Sequence, residues 1–301
     1  MITSVRIQNY RSIVEATVEL SPFTLLIGAN GTGKSNFLQL FEDIRDVSTL
    51  IHKKHFNHLN KPQKITIQYD NDTSWEFSEK HEKGFFPLHY RPTIFRLNPD
   101  SIGKAETLSA NPQVSSDGSG AVQVLDSLKT GAHEDLFELI ENDLKRYVPE
   151  IEKLFFIPSS NAKQLQVREK SIVNPILVQE LSEGTRLALT ILTIVYQENP
   201  PLFIGLEEID RGLHPRLFQQ IIELLTQISE EKGIQIVATT HNPYLVDEFK
   251  DREESVIIVE KHEGATTFTS LSKKLENLEP YEEPLGQLWY SGIAGGVPAF
   301  S

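Results

Sequence analysis

The sequence contains no cysteine. Without thiols the chain can form neither disulfides nor thiolate metal sites, which favours a reducing compartment. Residues 1–12 lack the apolar core of a signal peptide, and no run approaches the roughly 20 apolar residues that are needed to cross a bilayer. We therefore expect a cytoplasmic protein with no membrane partner.

An excess of basic residues is also absent. Lys and Arg number 29 against 42 Asp and Glu, which gives a net charge of −13. Nonspecific nucleic-acid binding depends on neutralising phosphates, so unaided binding of this kind is disfavoured. A local basic groove, or one formed with a partner, stays open. The basic cluster HKKH at 52–55 could belong to such a groove or be a solvated helix end.

No internal repeat and no sustained heptad pattern occurs, so a long coiled coil is not expected. With 301 residues, 39% of them hydrophobic, the chain can form one large α/β domain or two small ones. Alternating patterns predict half-buried strands at 2–8, 14–20, 64–70 and 73–78. Continuous apolar runs predict buried strands at 23–28, 202–206 and 234–240. Helical patterns occupy about 121–148, the stretch after Ser182, and about 215–230.

A glycine-rich turn, GANGTGKS at 28–35, lies between the first continuous apolar run and a helical pattern. It fits G-x-x-x-x-G-K-S, with Gly28, Gly33, Lys34 and Ser35 at the required positions. The glycines let successive N–H groups point at phosphate oxygens, and the helix N-terminus adds partial positive charge. Lys34 would reach the β and γ phosphates, and Ser35 would offer its hydroxyl to Mg²⁺. A chance match in a loop is the alternative, which the flanking strand and helix disfavour.

Three later stretches contain residues suited to nucleotide chemistry. In LSEGTRLAL at 181–189, Ser182 and Gly184 begin a helix and could form a second anion site, or Ser182 could simply cap that helix. Glu207 and Glu208 follow a buried strand, where one carboxylate could hold Mg²⁺ through water and the other could act as general base. A charged loop after a strand is the alternative. His241 follows another apolar strand, and its neutral imidazole could contact a γ-phosphate or play a structural part.

Taken in order, these stretches resemble the ABC-type ATPase heads of the RecF, SMC and OLD group, bacterial AAA family ATPases of the P-loop class. VRIQNYRSIVEATVEL and GANGTGKS are similar to the opening and Walker A of that group. LSEGTRLAL resembles its signature motif, GLEEIDRGLHP its Walker B and D-loop, and TTHNPYLVDEF its switch histidine stretch. The resemblance extends from residue 2 to about 270.

The resemblance implies a head that binds ATP and Mg²⁺ and dimerises around two nucleotides. Walker A of one subunit would face Ser182 and Gly184 of the other. Lys34 would bind phosphates, Ser35 and Glu207 would serve the metal, Glu208 would be the catalytic base and His241 the γ-phosphate switch. The remaining nucleotide-binding positions that the resemblance implies are Asn30, Gly31, Gly33 and Asn36, with Asp210 in the D-loop at the dimer interface and Arg11 near the nucleotide.

Three departures from the group's pattern are visible. The first Walker B carboxylate is usually Asp, and the extra methylene of Glu207 moves its oxygen by about 1.5 Å, so hydrolysis could be slow. Ile209 replaces the proline that usually follows the catalytic Glu. No glutamine marks the Q-loop in YRPTIFRLNP at 90–99, which offers Asn98, and Gln113 is a remote candidate.

For the fold, we expect a single ABC-type ATPase domain over 1–301, an α/β P-loop NTPase with a mainly parallel core sheet. Its expected parts are a nucleotide-binding lobe with an antiparallel β layer at 1–110, a helical insert at 111–175 that carries a lid at about 121–150, a lobe with the signature, Walker B and switch at 176–270, and an irregular, docked tail at 271–301.

Our expectations about partners depend on two features of the group that this sequence does not show. The insert is too short for the long coiled coil of SMC-like members, and too little chain follows residue 270 for the nuclease domain of OLD members. We therefore expect an isolated head that forms an ATP-dependent homodimer and works with a separate effector such as a nuclease, or with DNA, in repair or anti-phage defence. A nucleotide-dependent switch with little hydrolysis and a transporter ATPase subunit are the two alternatives.

Overall fold

A computed structural model describes residues 1–45, 63–78, 81–83, 92–104, 106–107, 109–159, 162–276 and 283–297. The basic cluster at 52–55 lies outside these ranges. The chain forms two compact units, the first of residues 1–94, 202–210 and 222–301 and the second of residues 95–201 and 211–221.

The strands of the described ranges are β1 (Ile2–Tyr10), β2 (Ile13–Glu19), β3 (Phe23–Ile27), β4 (Lys64–Tyr69), β5 (Ser74–Ser78), β6 (His81–Lys83), β7 (Thr93–Phe95), β8 (Glu106–Thr107), β9 (Ile151–Ser159), β10 (Ala162–Glu169), β11 (Ile176–Leu177), β12 (Phe203–Leu206), β13 (Gln235–Thr240), β14 (Val256–His262) and β15 (Ala265–Ser270). The helices are α1 (Lys34–Arg45), α2 (Ala121–Thr130), α3 (Glu134–Tyr147), α4 (Glu183–Tyr196), α5 (Pro215–Lys232), α6 (Pro243–Asp247), α7 (Leu271–Leu275) and α8 (Leu285–Tyr290).

The core sheet has the strand order β15-β14-β3-β13-β12-β7. Its strands β14, β3, β13 and β12 run parallel to their neighbours in that series, and β15 pairs with β14 antiparallel. Every residue of β3, β12 and β13 is buried. Continuous apolar runs of this kind suit strands covered on both faces, which explains why these segments do not alternate. The prediction of a mainly parallel core sheet is confirmed.

A second sheet of the first unit has the order β2-β1-β4-β5-β6, with antiparallel pairing throughout. Alternate residues of its strands, such as Val5, Ile67 and Trp75, are buried in one hydrophobic cluster with Phe37 and Phe41 of α1. The period of two therefore places the apolar side chains on the face that packs against the helix. The predicted antiparallel β layer is confirmed.

A buried amide connects the two sheets of the first unit. Gln235, at the start of β13, is fully buried, and its Oε1 accepts a 2.9 Å hydrogen bond from the Ile2 backbone N–H. Its Nε2 donates to the Ile2 carbonyl at 2.7 Å. Both polar ends of the side chain are thus satisfied by the first strand, which offsets the cost of burying them.

The second unit contains α2, α3, α4 and the antiparallel hairpin of β9 and β10. The predicted helical stretch at 121–148 is two helices, because Gly131 ends α2 and its N–H donates to the Ser127 carbonyl. Tyr196 of α4 donates a 2.8 Å hydrogen bond to Asp143 of α3. Among the described residues of 111–175, the last helix therefore ends at Tyr147, and β9 and β10 follow it.

The predicted tail at 271–301 is not irregular throughout. Residues 285–290 form α8, where Leu288 and Trp289 are buried in the first unit. Leu288 and Trp289 follow Leu285 at a spacing of three and four residues, which places all three apolar side chains on one face of a short helix. The many Pro, Glu and Gly residues around this segment explain why the sequence predicted an irregular tail. Among the described residues, no helix combines the length and the apolar character that a membrane span requires.

Candidate functional site

Three strand ends meet at one edge of the core sheet. Thr240 of β13 is opposite Ile27 of β3, and Leu206 of β12 is opposite Ala238 of β13. Because these strands are parallel, the residues that follow them lie along the same edge, where ligands bind in open α/β sheets. The phosphate loop, the two glutamates and the histidine all begin there.

A cavity of about 180 Å³ opens at this edge, within the first unit. Its walls bring together most of the residues that the sequence singled out. The lining residues are Asn30, Gly31, Gly33, Lys34, Ser35, Asn36, Glu207, Glu208, Thr239 and His241. Thr239 was missed, although a pair of threonines at the end of a buried strand is a visible signal in the sequence.

Lys34 is buried, and its ammonium turns back into its own loop. Nζ donates to the carbonyl oxygens of Gly28 at 2.7 Å and Ala29 at 2.9 Å. Burial lowers the pKa of Lys34 from 10.5 to about 8, although the carboxylates of Glu208 and Glu207 oppose this shift. Lys34 is therefore mostly charged at neutral pH, although its pKa is not far above that pH.

A series of hydrogen bonds connects the phosphate loop to the side chains of Ser12 and Thr266. Asn36 Nδ2 donates to Ser12 Oγ at 2.7 Å, Ser12 Oγ lies 2.7 Å from Thr266 Oγ1, and Thr266 Oγ1 donates to the Thr32 carbonyl at 2.7 Å. Because the Thr266 proton is committed to Thr32, Ser12 must be the donor to Thr266. A Cβ on Gly33 would clash with the Thr266 side chain, so glycine is required for this close approach.

Arg11 belongs to the same network rather than to the cavity wall. Its Nη1 donates to Asn36 Oδ1 at 3.4 Å, and its Nη2 lies 3.6 Å from Asp43 Oδ2. The Tyr10 hydroxyl donates to the same Asp43 oxygen at 2.8 Å. Arg11 is thus linked to the cavity through Asn36, and its expected place near the nucleotide stays a prediction.

The carboxylate pair is fixed to β13 by one residue. Thr239 Oγ1 accepts a 2.9 Å hydrogen bond from the Glu208 N–H, and the Thr239 carbonyl accepts one of 3.1 Å from the Ile209 N–H. Glu208 has a φ of 49°, a left-handed conformation that is uncommon for a residue other than glycine. Its side chain is exposed at the cavity, whereas Ile209 is buried. Proline at position 209 could not donate the second hydrogen bond.

The oxygen donors of the cavity suit Mg²⁺. The exposed Ser35 and the half-buried Glu207 line the same cavity. Hydroxyl and carboxylate oxygens are ligands that this cation prefers, usually together with substrate phosphates. The residues present therefore fit the metal that the sequence implied.

His241 follows β13 and is exposed at the cavity wall. Partial burial and the nearby Lys34 charge lower its pKa below the ordinary value, against the opposing influence of Glu208, Asp210 and the Gly28 backbone. The imidazole is therefore neutral at neutral pH. Asp210 accepts a 2.6 Å hydrogen bond from the Thr240 hydroxyl, which ties the end of Walker B to the strand that carries His241.

Ser182 and Gly184 lie in the second unit, at the start of α4. Ser182 is exposed and caps the helix, since its Oγ accepts a 3.2 Å hydrogen bond from the Thr185 N–H. Gly184 is buried, and a Cβ there would come within 2.7 Å of the Gly212 carbonyl oxygen. The capping role of Ser182 is thus confirmed, and its Oγ also lies 2.8 Å from Thr185 Oγ1.

The two Q-loop candidates also belong to the second unit. Asn98 Oδ1 accepts a 3.0 Å hydrogen bond from the Asp100 N–H, and Gln113 is exposed before α2. Asn98 therefore has a local role in a turn.

Comparison with protein families shows which family the chain belongs to. A model described as "AAA ATPase domain" matches residues 1–154, and one described as "AAA domain, putative AbiEii toxin, Type IV TA system" matches residues 95–247. The chain belongs to the AAA ATPase family. These matches agree with the P-loop ATPase class that the motifs predicted.

Solved structures share the fold of this AAA ATPase. An SMC head bound to the C-terminal winged-helix domain of ScpA has a TM-score of 0.59 and 14% identity, with 91% of this chain and 99% of that chain covered. The SMC head domain of Thermotoga maritima has a TM-score of 0.52 and 13% identity, with 89% and 98% covered. At these identities the likeness concerns the fold alone.

Two curated relatives extend over most of the AAA ATPase. The tyrosine transport ATP-binding protein of Clostridioides difficile (strain R20291) is 26% identical over 281 residues, 91% of this chain and 88% of that protein. The Septu protein PtuA of Bacillus mycoides (strain KBAB4) is 25% identical over 336 residues, 92% of this chain and 43% of that protein. This chain thus spans less than half the length of the Septu relative.

Proposed function

We propose that this AAA ATPase binds and hydrolyses ATP, dimerises around it, and couples hydrolysis to a partner effector or to DNA. One observation carries the proposal. The phosphate loop with Lys34, the carboxylates of Glu207 and Glu208, and His241 line a single cavity at the carboxyl edge of the core sheet. These are the groups that position and neutralise a transferred phosphoryl group.

Binding begins with the phosphate loop. The N–H groups at the start of α1 and the helix dipole favour an anion above Gly33, and Lys34 supplies a full charge when it leaves its loop carbonyls. Ser35 and Glu207 would hold Mg²⁺, which would supply neutralisation of phosphate charge.

Hydrolysis depends on Glu208, which lines the same cavity. Glu208 accepts a proton from water as the water oxygen bonds to the γ-phosphorus, and the bond to the bridging β–γ oxygen breaks to leave ADP and phosphate. The left-handed backbone of Glu208, held by Thr239, aims this carboxylate. His241 is neutral and can therefore hydrogen-bond the γ-phosphate or the water without repelling Lys34.

The second unit supplies the proposed dimer contact. The exposed Ser182 hydroxyl at the N-terminus of the 14-residue helix α4 is a site for the γ-phosphate that is held by another subunit. Asp210 would lie at the same interface, in the D-loop.

The setting and the partner rest on the relatives. Likeness to Septu protein PtuA, and to a family model whose description includes a type IV toxin–antitoxin system, supports anti-phage defence with a separate effector such as a nuclease. DNA repair, DNA binding and cytoplasmic location remain parts of the same proposal. The relative named as a tyrosine transport ATP-binding protein favours a second candidate, an ATPase subunit of a transporter.

Phosphate release by the purified chain tests the proposal, with and without DNA. We expect Mg²⁺-dependent turnover that falls by at least about a hundredfold in Glu208→Gln, since loss of a positioned base typically costs that much. Lys34→Ala should abolish nucleotide binding as well. Binding without turnover under every condition would instead favour the nucleotide-dependent switch, which the longer Glu207 side chain motivates. Co-purification with a membrane permease, rather than with an effector, would favour the transporter subunit.

A further inference from the structure

The segment 283–297 contacts two stretches of chain that adjoin cavity-lining residues. At one end the Gly286 N–H donates a 2.8 Å hydrogen bond to Asp247 Oδ1, in the helix α6 that begins two residues after His241. At the other end the Gly296 carbonyl accepts a 3.0 Å hydrogen bond from the Ala29 N–H, in the phosphate loop. One short stretch of chain thus joins the loop that carries Lys34 to the helix that follows the switch histidine.

The two contacts are close and specific. A Cβ on Gly286 would clash with the Pro243 carbonyl, so α8 packs directly on the backbone at the start of α6. Leu285, Leu288 and Trp289 of α8 are buried, which fixes the helix in the first unit.

Ala29 connects this contact to the Lys34 ammonium. The N–H of Ala29 is held by Gly296, and the carbonyl of the same residue accepts hydrogen bonds from Lys34 Nζ at 2.9 Å and from Thr32 Oγ1 at 3.0 Å. Displacement of Gly296 would leave the Ala29 N–H without this partner, in the same residue whose carbonyl binds Lys34 and Thr32.

An ion pair anchors the segment beside the loop. Glu260 of β14 accepts a 3.0 Å hydrogen bond from the Gly296 N–H on Oε1 and a 2.9 Å hydrogen bond from Lys274 on Oε2. Burial alone would raise the pKa of Glu260, but the hydrogen bonds from Lys274 and Gly296 lower it below its ordinary value. Glu260 is therefore an anion at neutral pH, and Lys274 keeps it in place for Gly296.

We propose that segment 283–297 is a clasp that positions the phosphate loop for nucleotide, with Glu260 and Lys274 as its positioning residues. The inference rests on the proposed binding of ATP in this cavity. Because a loop that is already ordered loses less conformational freedom when it binds, the clasp raises nucleotide affinity without touching the nucleotide. It acts on binding, so the rate at saturation should stay unchanged.

The test compares Lys274→Met with the wild-type full-length chain by titration with a fluorescent ATP analogue and by steady-state phosphate release. We expect Kd and KM to rise about three- to tenfold, the equivalent of one half-buried charged hydrogen bond. We expect kcat to stay within about twofold. Lys274→Arg should restore affinity because arginine also donates to Glu260.

Lys163→Met is the matched control. Lys163 forms a 2.7 Å ion pair with the buried Asp126 in the second unit, and its own side chain is 36% exposed against 31% for Lys274. It should leave Kd unchanged. Hydrogen exchange without nucleotide provides a second measurement, in which a peptide that contains Ala29 should exchange faster in Lys274→Met and at the wild-type rate in Lys163→Met.

Two results would overturn the clasp. One is an unchanged Kd and unchanged exchange at Ala29 in Lys274→Met. The other is a lower kcat with an unchanged Kd, which indicates a smaller folded fraction and hence a structural role only. If the wild type does not bind the analogue, the proposed function is refuted. If the wild type binds it and Lys274→Met binds it equally well, only the clasp is refuted.

Discussion

The Lys34 ammonium donates a 2.7 Å hydrogen bond to the Gly28 carbonyl oxygen, across the loop that both residues belong to. The ammonium is therefore hydrogen-bonded to its own loop, while the nearby carboxylates of Glu208 and Glu207 favour its charged form. Its burial lowers its pKa to about 8. An entering phosphate must draw Lys34 away from Gly28 and Ala29, and will do so in the charged form.

Proton uptake on nucleotide binding is the first prediction. A bound phosphate favours the charged amine and therefore raises the pKa of Lys34, which is about 8 without nucleotide. At a pH about half a unit above that pKa, the complex should bind more protons than the separate protein and nucleotide. Affinity should consequently fall as pH rises through this value. Calorimetric titration in two buffers of different ionisation enthalpy measures the uptake. At a pH more than about one unit below that pKa, Lys34 is already charged, so the binding enthalpy should no longer depend on the buffer. A binding enthalpy that is independent of the buffer at both pH values would contradict the assignment of the proton uptake to Lys34.

The hydroxyl of Thr266 carries the second prediction. Thr266→Val keeps the shape of the side chain but leaves the Thr32 carbonyl without its donor and the Ser12 hydroxyl without its acceptor. Loss of these buried hydrogen bonds should lower the free energy of unfolding by about 1–3 kcal/mol. Denaturant unfolding measures the loss. Thr267→Val is the control, since Thr267 is exposed on the same strand and should change stability by less than about 0.5 kcal/mol.

Much of this architecture could be predicted from the sequence because the responsible patterns are local. The alternation in β1 and β2, the continuous apolar run of β3 and the phosphate loop each need only neighbouring residues. Parallel pairing then places Glu207 and His241 beside the loop, since both follow buried strands.

What escaped prediction depends on contacts between distant segments. Thr266 lies 234 positions after Thr32, and Gly296 reaches Ala29 from near the end of the chain. The helix α8 is too short, at 6 residues, to give a convincing period. The sequence showed Ile209 as a departure from the usual proline, but only the structure shows that its N–H is used.

Ile209 provides the third prediction. Proline at this position would remove the donor to the Thr239 carbonyl and would disfavour the left-handed conformation of the preceding Glu208. We expect Ile209→Pro to lower the free energy of unfolding by about 1–3 kcal/mol more than Ile209→Val, which loses one buried methylene but keeps the N–H. Equal unfolding midpoints for the two variants in urea would show that the hydrogen bond contributes nothing.

Ser182 provides the last prediction, which concerns the dimer. Asp and Asn cap helices about as well as Ser, so Ser182→Asp and Ser182→Asn should both keep the start of α4 and the stability of the chain. They differ in charge at the proposed contact with the γ-phosphate of the other subunit. We expect Ser182→Asp to abolish ATP-dependent dimers through like-charge repulsion, and Ser182→Asn to retain them.

The mass of the complex, measured by light scattering after size exclusion with ATP in the Glu208→Gln background, decides the matter. That background is chosen because slow hydrolysis preserves the triphosphate. Monomeric nucleotide affinity should be the same for both Ser182 variants, since this residue would serve only the second subunit. If Ser182→Asp dimerised as readily as Ser182→Asn, the exposed hydroxyl would be a helix cap and nothing more, and the dimer would have to form through a different surface.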